Sequence, residues 1–235
     1  MPSIALCISG QPRSYAKGFE YIKRNLLDYY NVDIFYHTWY NVKTKFNEIE
    51  NLYQPKSFLI DKPLPNTYEN KYTRIPSVKF PAYFTVSAFY SIFQANKLKK
   101  EYEQKNNFIY DWVVRIRFDF ALNVKIDFDL LDNNKLYLPN CRMSPDKDFG
   151  NDQFAVGSSE TLDKYSSTFL YLDKFYFENK STMIGEDMLR DNLKLHNLTG
   201  DKIVYSFMNN LFPPGEHNGT WHSLIRDDYG FWTSR

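Results

Sequence analysis

Cysteine is nearly missing from this chain. Cys7 and Cys141 are its only two, too few for a disulfide framework and without metal-ligand spacing. Cys7 sits in an apolar run and reads as a small core residue. Charge of one sign is missing too. The 29 basic and 28 acidic residues leave a net charge of +1, and no basic run exceeds Lys99-Lys100, which argues against a nucleic-acid binder. No apolar stretch is long enough to span a membrane. The opening "MPSIALCISG" lacks the basic start of a secretory signal, so the expectation is a cytoplasmic, reducing setting, and the sequons at Asn179, Asn197 and Asn218 carry little weight. Glycine is sparse as well, with neither the dinucleotide-fold spacing nor the Walker pattern. There is no internal repeat, low-complexity block or linker.

Aromatic residues are abundant, at 18% with 19 Tyr and 20 Phe. That is more than a core absorbs, and Tyr and Trp faces also serve as stacking surfaces in grooves. The length of 235 residues suits one domain with a sizeable core. "IALCISG" (Ile4–Gly10) is short, apolar and ended by glycine, as a buried parallel strand would be. Phe19, Ile22, Leu26 and Tyr29 predict an amphipathic helix over about 15–30, and "VDIFYHTW" (Val32–Trp39) completes a β-α-β opening. Ser57–Ile60 predicts a third strand. Asp61–Pro81, with four prolines, reads as a long loop. A helix is expected from Tyr83 to about Gln104, then a central strand, "YDWVVRIRFDFAL". Short strands follow at Lys135–Asn140 and Asp152–Ser158. A helix starts at Ser158 or Ser159, another spans Gly185–Asn197, and "KIVYSF" is expected to be the last strand. The pattern is one α/β domain with a mixed sheet.

In the central strand, Arg115, Arg117 and Asp119 occupy alternate positions and so share a face. Two readings stand side by side: Asp119 holds a divalent cation through hard carboxylate oxygens with the arginines facing phosphate, or the three form an internal ion pair. "SGQPR" (Ser9–Arg13) leaves the first strand where open α/β sheets bind ligands. It is either a phosphate-binding turn, with Gln11 and Arg13 as donors, or a plain tight turn. Asp152 in "GNDQF" stands at a strand start, and Glu186 and Asp187 at a helix start, as acceptor-binding groups, a base, or simple helix-end charges.

Taken in order, "IALCISGQPRSY", "VDIFYHTW", "SAFYSIFQANKLKKEYE", "YDWVVRIRFDFAL" and "NDQFAVGSSETLDKY" resemble a family of small A-type (GT-A fold) glycosyltransferases found in bacterial polysaccharide gene clusters and large DNA viruses. The resemblance covers residues 4 to about 195. It implies a single GT-A-like domain over 1–235, with a mainly parallel sheet flanked by helices, a nucleotide-binding half over about 1–122 and an acceptor half over about 123–235. It also implies transfer of a sugar from a nucleoside diphosphate sugar, perhaps UDP-linked, to a glycan hydroxyl with Mn²⁺ or Mg²⁺. By the same mapping Ser9, Gly10, Gln11, Arg13, Gln94, Arg115 and Arg117 face the donor, while His37 is either near the nucleotide or a satisfied interior histidine, and Tyr90 either faces the donor or fills the core. Asp119 matches the last acid of an Asp-x-Asp motif whose first acid is here Arg117, and His217 or His222 supplies a late metal ligand. Asp152 and Glu186 are the expected catalytic carboxylates. The implied partners are a nucleotide sugar and a glycan, with no nucleic acid and no transmembrane segment, and the setting is bacterial or host cytosol. Two other classes remain open on the residues: a metal-dependent nucleotidyl- or phosphotransferase, and a carbohydrate-binding module without catalysis.

Overall fold

The computed structural model describes residues 1–65, 67–72, 81–139, 151–205, 222–226 and 230–232. Its framework is a sheet of seven strands. In chain order these are β1 (Ile4–Ser9), β2 (Val32–Trp39), β3 (Ser57–Asp61), β4 (Trp112–Arg117), β6 (Leu136–Leu138), β7 (Ala155–Gly157) and β8 (Ile203–Tyr205). They lie side by side in the order β3-β2-β1-β4-β7-β6-β8. Among these, β7 alone runs against its neighbours, antiparallel to both β4 and β6. A second sheet is built from β5 (Phe120–Leu122), β9 (His222–Arg226) and β10 (Gly230–Trp232). The α/β class with a mixed, mainly parallel sheet is thus as the sequence pattern predicts.

Alternation along the strands sorts side chains into two cores. Ala5, Cys7, Phe35 and Val113 face one layer of helices. They pack with Val86, Phe89, Ile92 and Ala95 of α4 (Ala82–Asn106), Leu162 of α5 (Ser159–Ser166) and Met188 of α6 (Gly185–Leu195). Ile4, Leu6, Ile8, Ile34, Tyr36, Val114 and Ile116 face the other side. There they meet Ile22 of α1 (Tyr15–Ile22) and Ile49 of α2 (Phe46–Tyr53). A sheet covered on both faces explains why β1 reads as one unbroken apolar run. Burial raises the Cys7 thiol to about 12, so it stays protonated and acts as core filling.

The long loop expected at 61–81 contains a short helix, α3 (Thr67–Lys71), and its residues 66 and 73–80 lie outside the described set. The expected central strand is in fact two. It breaks after Arg117, turns through Phe118 and Asp119, and resumes as β5 in the other sheet. Phe118 anchors the turn, buried edge-on against Tyr36 and Tyr53 at 5.5 Å each. Gly18 of α1 lies directly on the Phe118 carbonyl, where a Cβ would collide with backbone. The Ile225 amide of β9 donates to the Asp119 carbonyl at 2.7 Å. "KIVYSF" is not the last strand, because β9 and β10 follow it. Their pairing with β5 is a long-range event that local periodicity does not encode.

Candidate functional site

In space β4 pairs with the far side of β1 rather than with β3. The direction of winding therefore reverses between β1 and β4, and the crevice beyond their carboxyl ends is where open α/β sheets take ligands. Ser9 and Arg117, the last residues of the two strands, are register partners. β7 runs the other way, so the segment that leads into it, Asp152 to Ala155, falls on the same edge.

Gly10 opens this edge. Its φ of +107° favours glycine, and no heavy atom lies within 4 Å of where a Cβ would stand. The turn that follows is held by the Arg13 amide donating to the Gln11 carbonyl at 2.8 Å, and both side chains are exposed. Just past the carboxyl end of β1 the backbone is thus open and Arg13 is exposed.

From the β4 side the two arginines diverge in role. Arg115 is 4% exposed. Its Nη2 donates to Ser9 Oγ at 3.0 Å and its Nη1 to the Asp152 carbonyl. It ties three segments of the edge together from within, and burial pushes its pKa down. Arg117 is 30% exposed at its side chain, while its partner Asp119 is 1% exposed. Arg117 donates Nε to Oδ1 at 2.7 Å and Nη2 to Oδ2 at 2.8 Å, a fork-to-fork pair. Among the described residues its Nη1 meets no acceptor.

Asp152 and Glu186 are brought together beside this pair. Gly185, at the start of α6, lets the helix close on Asp152, whose Oδ2 would lie 3.0 Å from a Cβ there. Burial first, then the Asp152 charge, pushes the Glu186 carboxyl up, as two neighbouring carboxylates require. The Tyr165 hydroxyl completes the corner, 3.4 Å from the Asp152 carbonyl that it donates to. Asp187 points elsewhere. It accepts from the Thr182 hydroxyl and pairs with Arg190 at 3.1 Å, an end-of-helix role.

On the other flank, His37 Nδ1 lies 2.7 Å from Ser91 Oγ and Nε2 lies 3.2 Å from Asp61 Oδ2. The Gly10 amide donates to the same Ser91 oxygen at 2.7 Å. One arrangement satisfies all three contacts: Nε2 carries the proton to Asp61, and Ser91 donates to Nδ1 while accepting from Gly10. Burial lowers the His37 pKa to about 4, so the ring is neutral near pH 7. The Tyr90 hydroxyl also donates to Asp61, at 3.0 Å, and receives Gln94 Nε2 at 2.8 Å. The Tyr90 ring stacks on Trp39 at 5.4 Å.

The residues expected from sequence therefore gather on one edge in the spatial order His37, Ser9–Gly10, Arg117–Asp119, Asp152–Glu186. His37, with Tyr90 and Gln94, belongs to a closed network that supports the Gly10 turn. His217 lies outside the described residues, and His222 is described as the β9 residue paired with Leu122. Asp61, Ser91 and Tyr165 were missed. Asp61 is an acid ending an edge strand, a faint signal. Ser91 and Tyr165 carry none, because only the packing of α4 and α5 brings them to the edge.

The metal expected at Asp119 finds a poor fit. A divalent cation needs carboxylate oxygens turned toward it, and both Asp119 oxygens are committed to Arg117. Among the described residues no three His, Cys, Asp or Glu side chains converge on a cation-sized site, and no described helix is long and apolar enough to cross a membrane. No curated protein matches the chain. A family model described as "Domain of unknown function (DUF7796)" matches residues 1–218. The chain belongs to that family.

Proposed function

We propose that this protein is a glycosyltransferase that moves a sugar from a nucleoside diphosphate sugar to a hydroxyl of a glycan acceptor, on a GT-A-like domain. The observation that carries the reading is the juxtaposition at the β1/β4 crevice. Arg117, fixed by Asp119 and partly exposed along its side chain, stands on one side, and the half-buried Asp152–Glu186 carboxylate pair on the other. Sugar transfer needs both. Negative charge grows on the departing diphosphate and calls for preorganised donors, and the incoming hydroxyl calls for a proton acceptor.

In this scheme the open backbone at Gly10 and the exposed Arg13 receive the diphosphate from the β1 side, opposite Arg117. Glu186 takes the acceptor proton. Its pKa is raised toward the working range by burial and by Asp152, which makes it a stronger base than an ordinary exposed carboxylate. Asp152 orients the acceptor and sustains that shift. Arg115 is a positioning residue that fixes Ser9 and the Asp152 backbone without facing the crevice. A bound Mn²⁺ or Mg²⁺ would add charge neutralisation at the diphosphate, but the pairing of Asp119 gives it no ready ligand there.

The test is a thermal-shift screen of nucleotide sugars and free glycans, run both with Mn²⁺ and with excess EDTA. Stabilisation by one class of nucleotide sugar supports the reading. Stabilisation by glycans alone would favour a binding module and overturn it.

A further inference from the structure

We infer that Arg117, held by the buried carboxylate of Asp119, stands where a divalent cation would otherwise act, so that donor binding and sugar transfer by this protein need no metal. The inference rests on the glycosyltransferase reading and concerns how its leaving group is neutralised.

Three observations carry it. First, the pairing is bidentate and uses both Asp119 oxygens, at 2.7 and 2.8 Å. A cation arriving at Asp119 would have to break two charge-assisted hydrogen bonds. It would then sit beside the guanidinium it had displaced, a like charge held close by the end of β4. Second, the exposure is lopsided. Asp119 is 1% exposed and the Arg117 side chain 30%, so the acid is shut in while the arginine still reaches solvent. An internal clamp would shut in both. Third, the outward side meets the right surroundings. Ser9 is the register partner of Arg117, and next to Ser9 the Gly10 backbone is open and the Arg13 side chain exposed. Planar guanidinium groups suit phosphate oxygens because their donors engage two at once.

The step balances without a metal. The acceptor hydroxyl oxygen bonds to the anomeric carbon, and the bond from that carbon to the diphosphate oxygen breaks. The diphosphate leaves with the electron pair, its charge met by Arg117 and Arg13, and the hydroxyl proton passes to Glu186. Asp119 is a positioning residue, since its part in this exchange is to hold the Arg117 guanidinium.

Arg117→Ala would take the bidentate partner from a buried carboxylate and is a poor probe, because it threatens the fold. The neutral pair Arg117→Gln with Asp119→Asn keeps the shape and removes both charges. Titration calorimetry with UDP, GDP, ADP and CDP in excess EDTA, repeated with Mn²⁺, gives the readout. The expected result is that wild type binds one of these in EDTA with an affinity that Mn²⁺ changes little. The neutral pair should bind it about tenfold to a hundredfold more weakly in both conditions, while melting near wild type. Arg117→Lys should recover part of the loss, which a purely structural pair would not require. Binding by wild type only when Mn²⁺ is present would overturn the inference and leave the transferase reading standing. Equal binding by wild type and the neutral pair would overturn it as well. No binding of any nucleoside diphosphate in either condition would overturn both.

Discussion

Two ion clusters of this protein differ in one respect. Lys99, on α4, is fully buried. It pairs with Glu103 at 3.1 Å and Asp163 at 2.9 Å and donates to Ser159 Oγ. Every charge around it is answered. Glu103 also receives the Tyr110 amide at 3.0 Å, and Asp163 receives Asn96 at 2.7 Å and Lys100 at 3.0 Å. Arg117–Asp119, at the carboxyl edge, shuts in its acid and leaves the Arg117 side chain partly exposed. Charge inside a core is therefore no sign of function by itself. The Lys99 cluster clamps α4 to α5, and the other keeps one member available.

The sharpest way to break this comparison is at Lys99. Lys99→Met should cost about 3 kcal/mol in urea unfolding, since it takes the cation from the buried Glu103, and should leave nucleotide affinity of the folded protein unchanged. If the loss were below about 0.5 kcal/mol, in the range of an exposed pair, the two clusters would not differ as described.

His37 belongs with the closed cluster, and pH tests it. Its folded pKa of about 4 lies below its ordinary 6.5. The unfolded chain therefore binds the extra proton first, and stability present above pH 6.5 is lost as pH falls toward 4. The loss attributable to His37 reaches about 3 kcal/mol at pH 4 by linkage. His37→Gln should make the acid limb of a stability profile shallower by that order, whereas an unchanged limb would show that the ring is already solvated.

Glu186 belongs with the open cluster. Glu186→Gln should lower turnover about a hundredfold or more with little change in donor binding. A smaller signature follows from its raised carboxyl. Ionising Glu186 is harder in the folded state than in the unfolded one, so its contribution to stability is lost as pH rises past the ordinary carboxylate range. The melting temperature of Glu186→Gln relative to wild type should therefore rise between pH 4 and pH 7. No change over that interval would place Glu186 in solvent, and a fall would show that the folded state favours its charged form.

The amino-terminal half was legible because its strands are continuous apolar runs. Val32–Trp39 is observed with the predicted bounds, and Ile4–Gly10 within one residue. The periodicity of Phe89, Ile92 and Ala95 likewise marked the buried face of α4. "VVRIRFDFAL" misled because alternation continues through a point where the chain changes sheets. The break at Phe118 is set by Gly18, Tyr36 and Tyr53, all remote in sequence. For the same reason the two readings of Arg117 and Asp119 could not be ranked from the sequence. Spacing put them on one face, but only coordinates reveal which member is shut in. Asp152 and Glu186 were legible as strand-start and helix-start acids, yet their meeting depends on Gly185.

The most direct measurement of the central claim is the product formed from a nucleotide sugar by the purified protein, separated chromatographically and compared with the Glu186→Gln variant. The account predicts slow release of nucleoside diphosphate and free sugar, accelerated by a glycan acceptor and lost in the variant. Release of pyrophosphate or nucleoside monophosphate, or release that the variant leaves unchanged, would contradict it.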